Sequence, residues 1–443
     1  MDIQLSDHFT YKRLLRFTLP AIGMMVVMSS YTVVDGLFIS NVVGKSAFSA
    51  VNLMWPFTGL FGAVGLMVGT GGSALVAKTM GEGDREKAKQ IFTMLIAVLI
   101  GLGLALACAG VASVEWVALK LGAEEALLQY CITYGIILFA AIPAYMLQMA
   151  FQTLLITAEK PQMAFILSIA SGVTNILLDF LLIYVFPFGV AGAAVATMMG
   201  QIIGGFIPLI YFSRKNSSLL RFVKFKWDGK SLFKACTNGV SEMISNLSFS
   251  FLNILYNYQL LRLLGENGVA AYGIIMYVAY IFAGVFMGYS VGCAPIISYH
   301  YGAQNEPELK NMFKKSNVII GGFALVLTLL AELTAPFLAD CFVGYDPELK
   351  VFAIYALRLY SICFLLCGFN MFASALFTAL NNGLVSGLLS GVRMMGFEAS
   401  MVILIPIIWG VKGIWLSVLV AEILALLMNI CVYLGMNKRY HYL

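Results

Sequence analysis

Apolar residues in this chain come in long blocks, and polar residues are confined to the short stretches between them. Twelve blocks are long enough to form membrane-crossing helices: 12–40, 47–78, 90–114, 126–158, 161–186, 190–213, 232–263, 268–300, 314–337, 350–380, 383–408 and 412–436. Each such helix needs about 20 mostly apolar residues to traverse the hydrocarbon core. The longest polar connection, 213–231, falls between the sixth and seventh blocks. In it Arg221, Lys224 and Lys226 interleave with Phe222, Val223, Phe225 and Trp227, the pattern of a segment lying along a membrane surface. The expected division is a front lobe at 1–213 (helices 1–6), a linker at 214–231 and a rear lobe at 232–443 (helices 7–12).

The two lobes are copies of one another. Residues 42–92 align without a gap on 263–313, a shift of 221. Gly44, Ala50, Phe61, Gly71, Gly81, Lys89 and Phe92 fall on Gly265, Ala271, Phe282, Gly292, Gly302, Lys310 and Phe313. The same shift carries Tyr134 onto Tyr355, Thr157 onto Thr378, Gly189 onto Gly410 and Gly192 onto Gly413. Two like halves in one orientation predict an all-α polytopic membrane protein, two six-helix bundles related by a pseudo-two-fold axis, with a transport path between them.

Composition supports this reading: 61% of residues are hydrophobic and 11% charged, against about 25% charged in soluble domains. The placement of charge adds an orientation. With a cytoplasmic N-terminus, twenty of the 27 Lys and Arg residues lie on the inner side and five on the outer, with Arg358 and Arg393 inside spans. Both termini are therefore expected to be cytoplasmic. The opening residues, MDIQLSDHFTYKRLLRF, lack the pattern of a cleaved leader, so the first span itself is expected to direct insertion. The basic loops are read as topology signals and lipid contacts, not a nucleic-acid surface. The eight cysteines have no metal spacing.

Charged residues inside spans cost roughly 2.5–3.5 kcal/mol on insertion scales and persist where they face a cavity or a partner. Asp35 has Tyr31 one turn before it, and Asp179 has Asn175 one turn before it. Each pattern places a carboxyl and a polar helper on one helix face. Two such carboxyls in one low-dielectric pocket would share a proton or bind a small cation. The bland alternative is a pair of hydrogen-bonded packing residues. The rear lobe does not repeat these acids, since Asp35 aligns with Tyr256 and Asp179 with Ser400. It has its own polar set: Glu242, Asn246, Asn253 and Asn257 on the seventh span, Arg393 and Glu398 on the eleventh and Glu422 on the last. An internal Arg–Glu pair and a substrate-binding role are both open for it. Glu332 is expected at the interface. Pro20, within the first span, is the bend singled out for movement. GxxxG pairs at Gly65/Gly69, Gly200/Gly204 and Gly288/Gly292 predict close helix approach.

Enzymatic readings fail. GYSVG at 288–292 formally matches a nucleophile elbow but lies inside an apolar helix, and the three histidines sit at span ends or termini. No GxxxxGK[ST] occurs.

Leu19-Pro20 followed by VVDGLFIS, then GEGDREKAK after the second span and TNILLDFLLIYVFPFGVAGAAVATMMGQ at 174–201, resemble the multidrug and toxic compound extrusion (MATE) transporters along nearly the whole chain. The GVSE run and SGVRMMGFE resemble the bacterial multidrug-efflux branch. The resemblance implies two six-helix bundles around a V-shaped cavity and export of organic, cationic amphipathic compounds by antiport with H⁺ or Na⁺. It also implies no cofactor and function as a monomer. Carried over, the cation site would be Asp35, Tyr134, Asn175, Asp179 and Thr197, with Tyr31 nearby and Pro20 as the bend. Ser241 stands where Pro20 aligns in the rear lobe, which departs from the family pattern. A lipid-linked precursor flippase of the wider superfamily is the alternative. It would need a cationic cavity, whereas intramembrane acids outnumber bases here.

Overall fold

The computed structural model describes residues 3–38, 45–120, 123–343 and 346–443; within these, the side chains of 31–38, 45–48, 52, 125, 126, 266, 341 and 342 are not described. The described chain is helical with no strand. Thirteen α-helices follow in order: α1 (Tyr11–Phe38), α2 (Lys45–Gly81), α3 (Arg85–Lys120), α4 (Glu125–Ala140), α5 (Ile142–Thr157), α6 (Pro161–Asp179), α7 (Gly189–Ser213), α8 (Gly229–Gly302), α9 (Glu306–Val343), α10 (Pro347–Ser361), α11 (Phe364–Ala379), α12 (Gly383–Gly391) and α13 (Ala399–Tyr440). A π-helical turn, Phe180–Val185, prolongs α6, and a second, Val392–Glu398, joins α12 to α13. Side-chain caps fix several starts: Asp228 accepts from the N–H groups of Lys230 and Ser231 at α8, and Asp346 from those of Glu348 and Leu349 at α10.

All twelve expected spans coincide with helices. The fourth is the pair α4–α5, bent by 55°, and the tenth the pair α10–α11, bent by 45°. α8 holds the seventh and eighth spans, broken at Gly265 (φ 64°), and α13 completes the eleventh and holds the twelfth, broken at Gly410 (φ 59°). The repeat is visible in the backbone. The bends at Ala141 and Ile362 lie 221 residues apart, as do the left-handed residues Gly189 and Gly410. Gly83 and Gln304 also share this spacing and both have positive φ, although only the first is a glycine. Large apolar side chains such as Leu333, Leu384 and Ile407 stand exposed, as lipid-facing residues do.

The bundles meet in a seam of small residues. A Cβ on Gly71 would strike the Ala235 carbonyl, one on Gly239 the Met67 carbonyl, one on Gly81 the Tyr299 carbonyl and one on Gly302 the Lys78 carbonyl. α2 and α8 therefore touch backbone to backbone at the end of the molecule where they approach Gly81 and Gly302. The glycine pair Gly288/Gly292 seats α8 against Ile22 and Thr18 of α1, and Gly65/Gly69 seat α2 on Met146 and Ala150 of α5.

Both chain termini pack at this closed end. Tyr440 and Tyr442 stack among Tyr301, Phe313 and Phe377. The N-terminal segment crosses the seam as a strap with Leu5 and Phe9 fully buried. The Leu5 N–H donates to Glu159 Oε1 (2.6 Å) in the α5–α6 turn, and the Phe9 N–H to Glu308 Oε1 (2.9 Å) on α9. His8 Nδ1 meets Glu308 Oε2 at 2.6 Å, and Lys315 donates to the Phe9 carbonyl (2.5 Å). Residues 214–228 form no helix. They fold back on α3, with Phe222 stacked on Phe92 and the Val223 N–H donating to Thr93 Oγ1 (3.1 Å), while Phe225 and Trp227 remain exposed.

Candidate functional site

α6 and α7 run antiparallel and pack closely because α7 presents glycines to α6. A Cβ on Gly192 would lie 2.7 Å from the Leu182 carbonyl oxygen, and one on Gly200 would lie 3.1 Å from the Ser171 carbonyl oxygen and 3.6 Å from Asn175 Cβ. These two contacts bracket Thr197 along α7 and set it level with the stretch of α6 that carries Asn175 and Asp179. Asn175 is buried and Asp179 has no solvent exposure. Asn175 Oδ1 and Thr197 Oγ1 are buried and accept no hydrogen bond from the described residues. Buried acceptors without partners are rare in folded proteins and mark places where another group is expected. Tyr134, buried on α4, belongs to a helix that packs against α7. Asp179 is the last α-helical residue before the π-helical turn. Such turns recur at functional sites because the extra residue per turn re-aims a side chain.

Asp35 and Tyr31 lie on the backbone of α1, and their side chains fall outside the described set. α1 packs on α6, and Gly23 meets the ring of Phe165 (2.7 Å from a Cβ placed there). Asp35 is 12 residues beyond Gly23 and Asp179 is 14 beyond Phe165, so the helical rise carries them about 18 and 21 Å along parallel helices. α1 is one continuous helix through the half-buried Pro20.

The polar lining continues below Asn175 through residues that the charge-led reading passed over. Ser168, Ser171, Asn175 and Asp179 recur at i, i+3, i+7 and i+11 on α6, and all four are buried. From α5, Gln148 Nε2 donates to Ser171 Oγ (3.1 Å), which donates to the Gly200 carbonyl (2.7 Å). The Gln148 side chain fits because the residue opposite is Gly204; a Cβ there would lie 2.5 Å from its Cγ. The GxxxG of α7 thus admits two polar side chains, in addition to bringing helices together. The signal was present in sequence as the polar stripe on α6 and the spacing of Gln148 and Gln152.

In the rear bundle the arginine finds a different acid from its sequence neighbour. Arg393 bonds Glu422, with Nη2–Oε1 at 2.6 Å, Nε–Oε1 at 3.1 Å and Nε–Oε2 at 3.2 Å. The two residues are brought together by the packing of α13 on the π-helical turn that carries Arg393. Asn370 donates to Glu422 Oε2 (2.5 Å) and Asn429 to Asn370 Oδ1 (2.7 Å), so the buried pair is held in a network. Arg358 likewise faces Glu332, at 3.6 Å, so this glutamate has an ionic partner. The carboxyl groups of Glu398 and of the partly buried Glu242 make no hydrogen bond or ion pair among the described residues. Asn253 and Asn257 bond each other (3.1 Å), and Asn246 turns back to the Glu242 carbonyl (2.9 Å). Ser241, opposite number of Pro20, is buried in a hydroxyl cluster with Thr378 and Ser386.

Comparison with known proteins places this geometry in context. The MatE family pattern matches twice, at 20–181 and 243–404. The chain is 26% identical over 433 residues to the multidrug export protein MepA of Staphylococcus haemolyticus (strain JCSC1435), covering 96% of this chain and 92% of that protein. It is 23% identical to MepA of Staphylococcus aureus (strain MRSA252), covering 96% and 94%. Among solved structures, a MATE protein in complex with MaL6 superimposes with a TM-score of 0.91 at 22% identity, covering 98% of this chain and 97% of that one. An outward-facing multidrug resistance MATE transporter gives a TM-score of 0.91 at 22% identity, covering 97% and 98%.

Proposed function

The chain belongs to the MatE family of membrane transporters, and from that premise we propose that it exports organic, cationic amphipathic compounds by secondary active antiport with H⁺ or Na⁺. It is a transporter and not an enzyme. The coupling cation binds in the front bundle at Asp35, Tyr134, Asn175, Asp179 and Thr197. The observation that carries this is a pair of buried oxygens without a hydrogen-bond partner among the described residues, Asn175 Oδ1 and Thr197 Oγ1, at the level of the fully buried Asp179. Oxygen acceptors around a carboxylate make a site whose charge depends on the cation it holds. The division of the chain at 1–213, 214–231 and 232–443 separates this lobe from the one that meets cargo.

Cargo is held between the bundles by aromatic and methionine side chains, which adapt to varied shapes, and by the acids Glu242 and Glu398. With Arg393 bound to Glu422 and Arg358 facing Glu332, these two carboxyls are left to attract a cation. The same pairing argues against an anionic lipid precursor as cargo. Cation binding in the front bundle shifts α1 around Pro20 and lowers cargo affinity; only such a difference in affinity between the two facings couples the fluxes. The asymmetry of Lys and Arg supports cytoplasmic termini in a bacterial inner membrane, which makes the closed end the inner one.

A dye-efflux assay with imposed pH and Na⁺ gradients tests the reading. Asp35→Asn and Asp179→Asn are expected each to abolish gradient-driven export while the protein still reaches the membrane folded. Wild-type export in both variants would reject the site.

A further inference from the structure

The polar row on α6 leads away from Asp179 toward the closed end, and two cavities continue it. The first, about 10 Å³, has room for one water-sized sphere and is walled by Gln148, Gln152, Ser168 and Leu167. Gln148 Oε1 is buried and accepts no hydrogen bond from the described residues. The second, about 380 Å³, opens at the closed end and is lined by Glu159, Lys160, Arg16 and again Leu167. Leu167 therefore stands between a water-sized inner cavity and one that reaches the surface. Burial pushes the Glu159 carboxyl above the usual carboxylate range.

We propose that Gln148, Gln152 and Ser168 form an inner relay site that passes the coupling cation from the Asn175–Asp179 pocket to the closed end, and that Leu167 is its plug. This rests on the cation-site reading above. A cation crossing the bundle needs successive oxygen ligands, since a bare charge in a low-dielectric interior is costly. The Asn175 side-chain oxygen, the Ser171 hydroxyl and the Gln148 amide oxygen supply them in order along the helix axis. Gly200 and Gly204 leave room for the row. On such a route the ion leaves at the inner end while the bundles stay together there, because the path runs within the front bundle and not along the seam.

The test uses the full chain in proteoliposomes, with internal H⁺ and Na⁺ reported by entrapped dyes. Gln148→Leu removes the amide donor and acceptor at similar size. It is expected to slow cargo-driven cation uptake roughly tenfold or more, the effect of a charged species losing one hydrogen-bonding partner. Leu167→Ala is expected to raise cation leak without cargo several-fold, while Val173→Ala on the lipid-facing side of α6 leaves it unchanged. Wild-type uptake in Gln148→Leu, or an unchanged leak in Leu167→Ala, overturns the relay. If Gln148→Leu does not fold, the Leu167→Ala leak alone decides. Asp179→Asn in the same assay separates the failures: loss of coupling there with normal Gln148→Leu uptake rejects only the relay, whereas normal coupling in Asp179→Asn rejects the cation site.

Discussion

Glu159 and Glu308 lie in opposite bundles, 149 residues apart in sequence, and hold the backbone of one strap, the first through the Leu5 N–H and the second through the Phe9 N–H. The strap thus ties the two halves across the closed seam. Glu308→Ala would leave the buried Phe9 N–H without its acceptor, at a cost of about 1–3 kcal/mol. Amide exchange in the segment 3–10 is expected to rise in this variant while exchange in α3 stays slow. Unchanged protection of the strap would show that its packing and its remaining bonds to Glu159 and Lys315 hold it without Glu308.

The seam sets a second expectation. A methyl at Gly239 meets the Met67 carbonyl, a backbone group that cannot swing aside. Gly239→Ala is expected to hold the bundles apart at the end bearing the termini. Spin labels at the exposed positions Glu82 and Gln304 would report a longer separation than in the wild-type protein.

The Arg393–Glu422 pair gives a third. Removing one partner of a buried ion pair strands the other charge, at about 3–5 kcal/mol. Glu422→Gln is expected to lower thermal stability in detergent by that order. The double replacement Arg393→Met with Glu422→Met is expected to recover most of it, since no charge is left stranded.

Gln304 supplies a fourth. It takes the left-handed conformation (φ 54°) that its counterpart Gly83 adopts with φ 88°. For a residue with a Cβ this costs about 1–2 kcal/mol, partly offset by the greater unfolded-state entropy of glycine. Gln304→Gly is expected to stabilise the protein by up to about 1 kcal/mol, read as a higher melting temperature.

The twelve spans and the two-fold repeat were legible because membrane burial writes itself into long apolar blocks, and because a shift of 221 brings glycines onto glycines. The bend at Ala141 had a cue in Pro143, which stands in the first turn of α5, whereas the bend at Ile362 has only apolar surroundings that do not distinguish a broken helix from a straight one. Arg393 was legible as a charge needing a partner, but the choice of Glu422 over Glu398 depends on how α13 crosses the π-helical turn, a tertiary fact. Asp179 and Asn175 stood out by chemistry. Gln148 did not, because an uncharged amide in a span looks like ordinary packing until the glycine opposite it is seen. The opening residues carry no sequence cue to their role as a tie, which needs the acids at 159 and 308 to be brought beneath them.

Gly265 and Gly410 turn the chain without a loop: the seventh span passes into the eighth, and the eleventh into the twelfth, through a single left-handed residue. A one-residue link keeps the joined ends of two spans together, so a displacement of the eighth span on the seam pulls on the seventh, the span that carries Glu242.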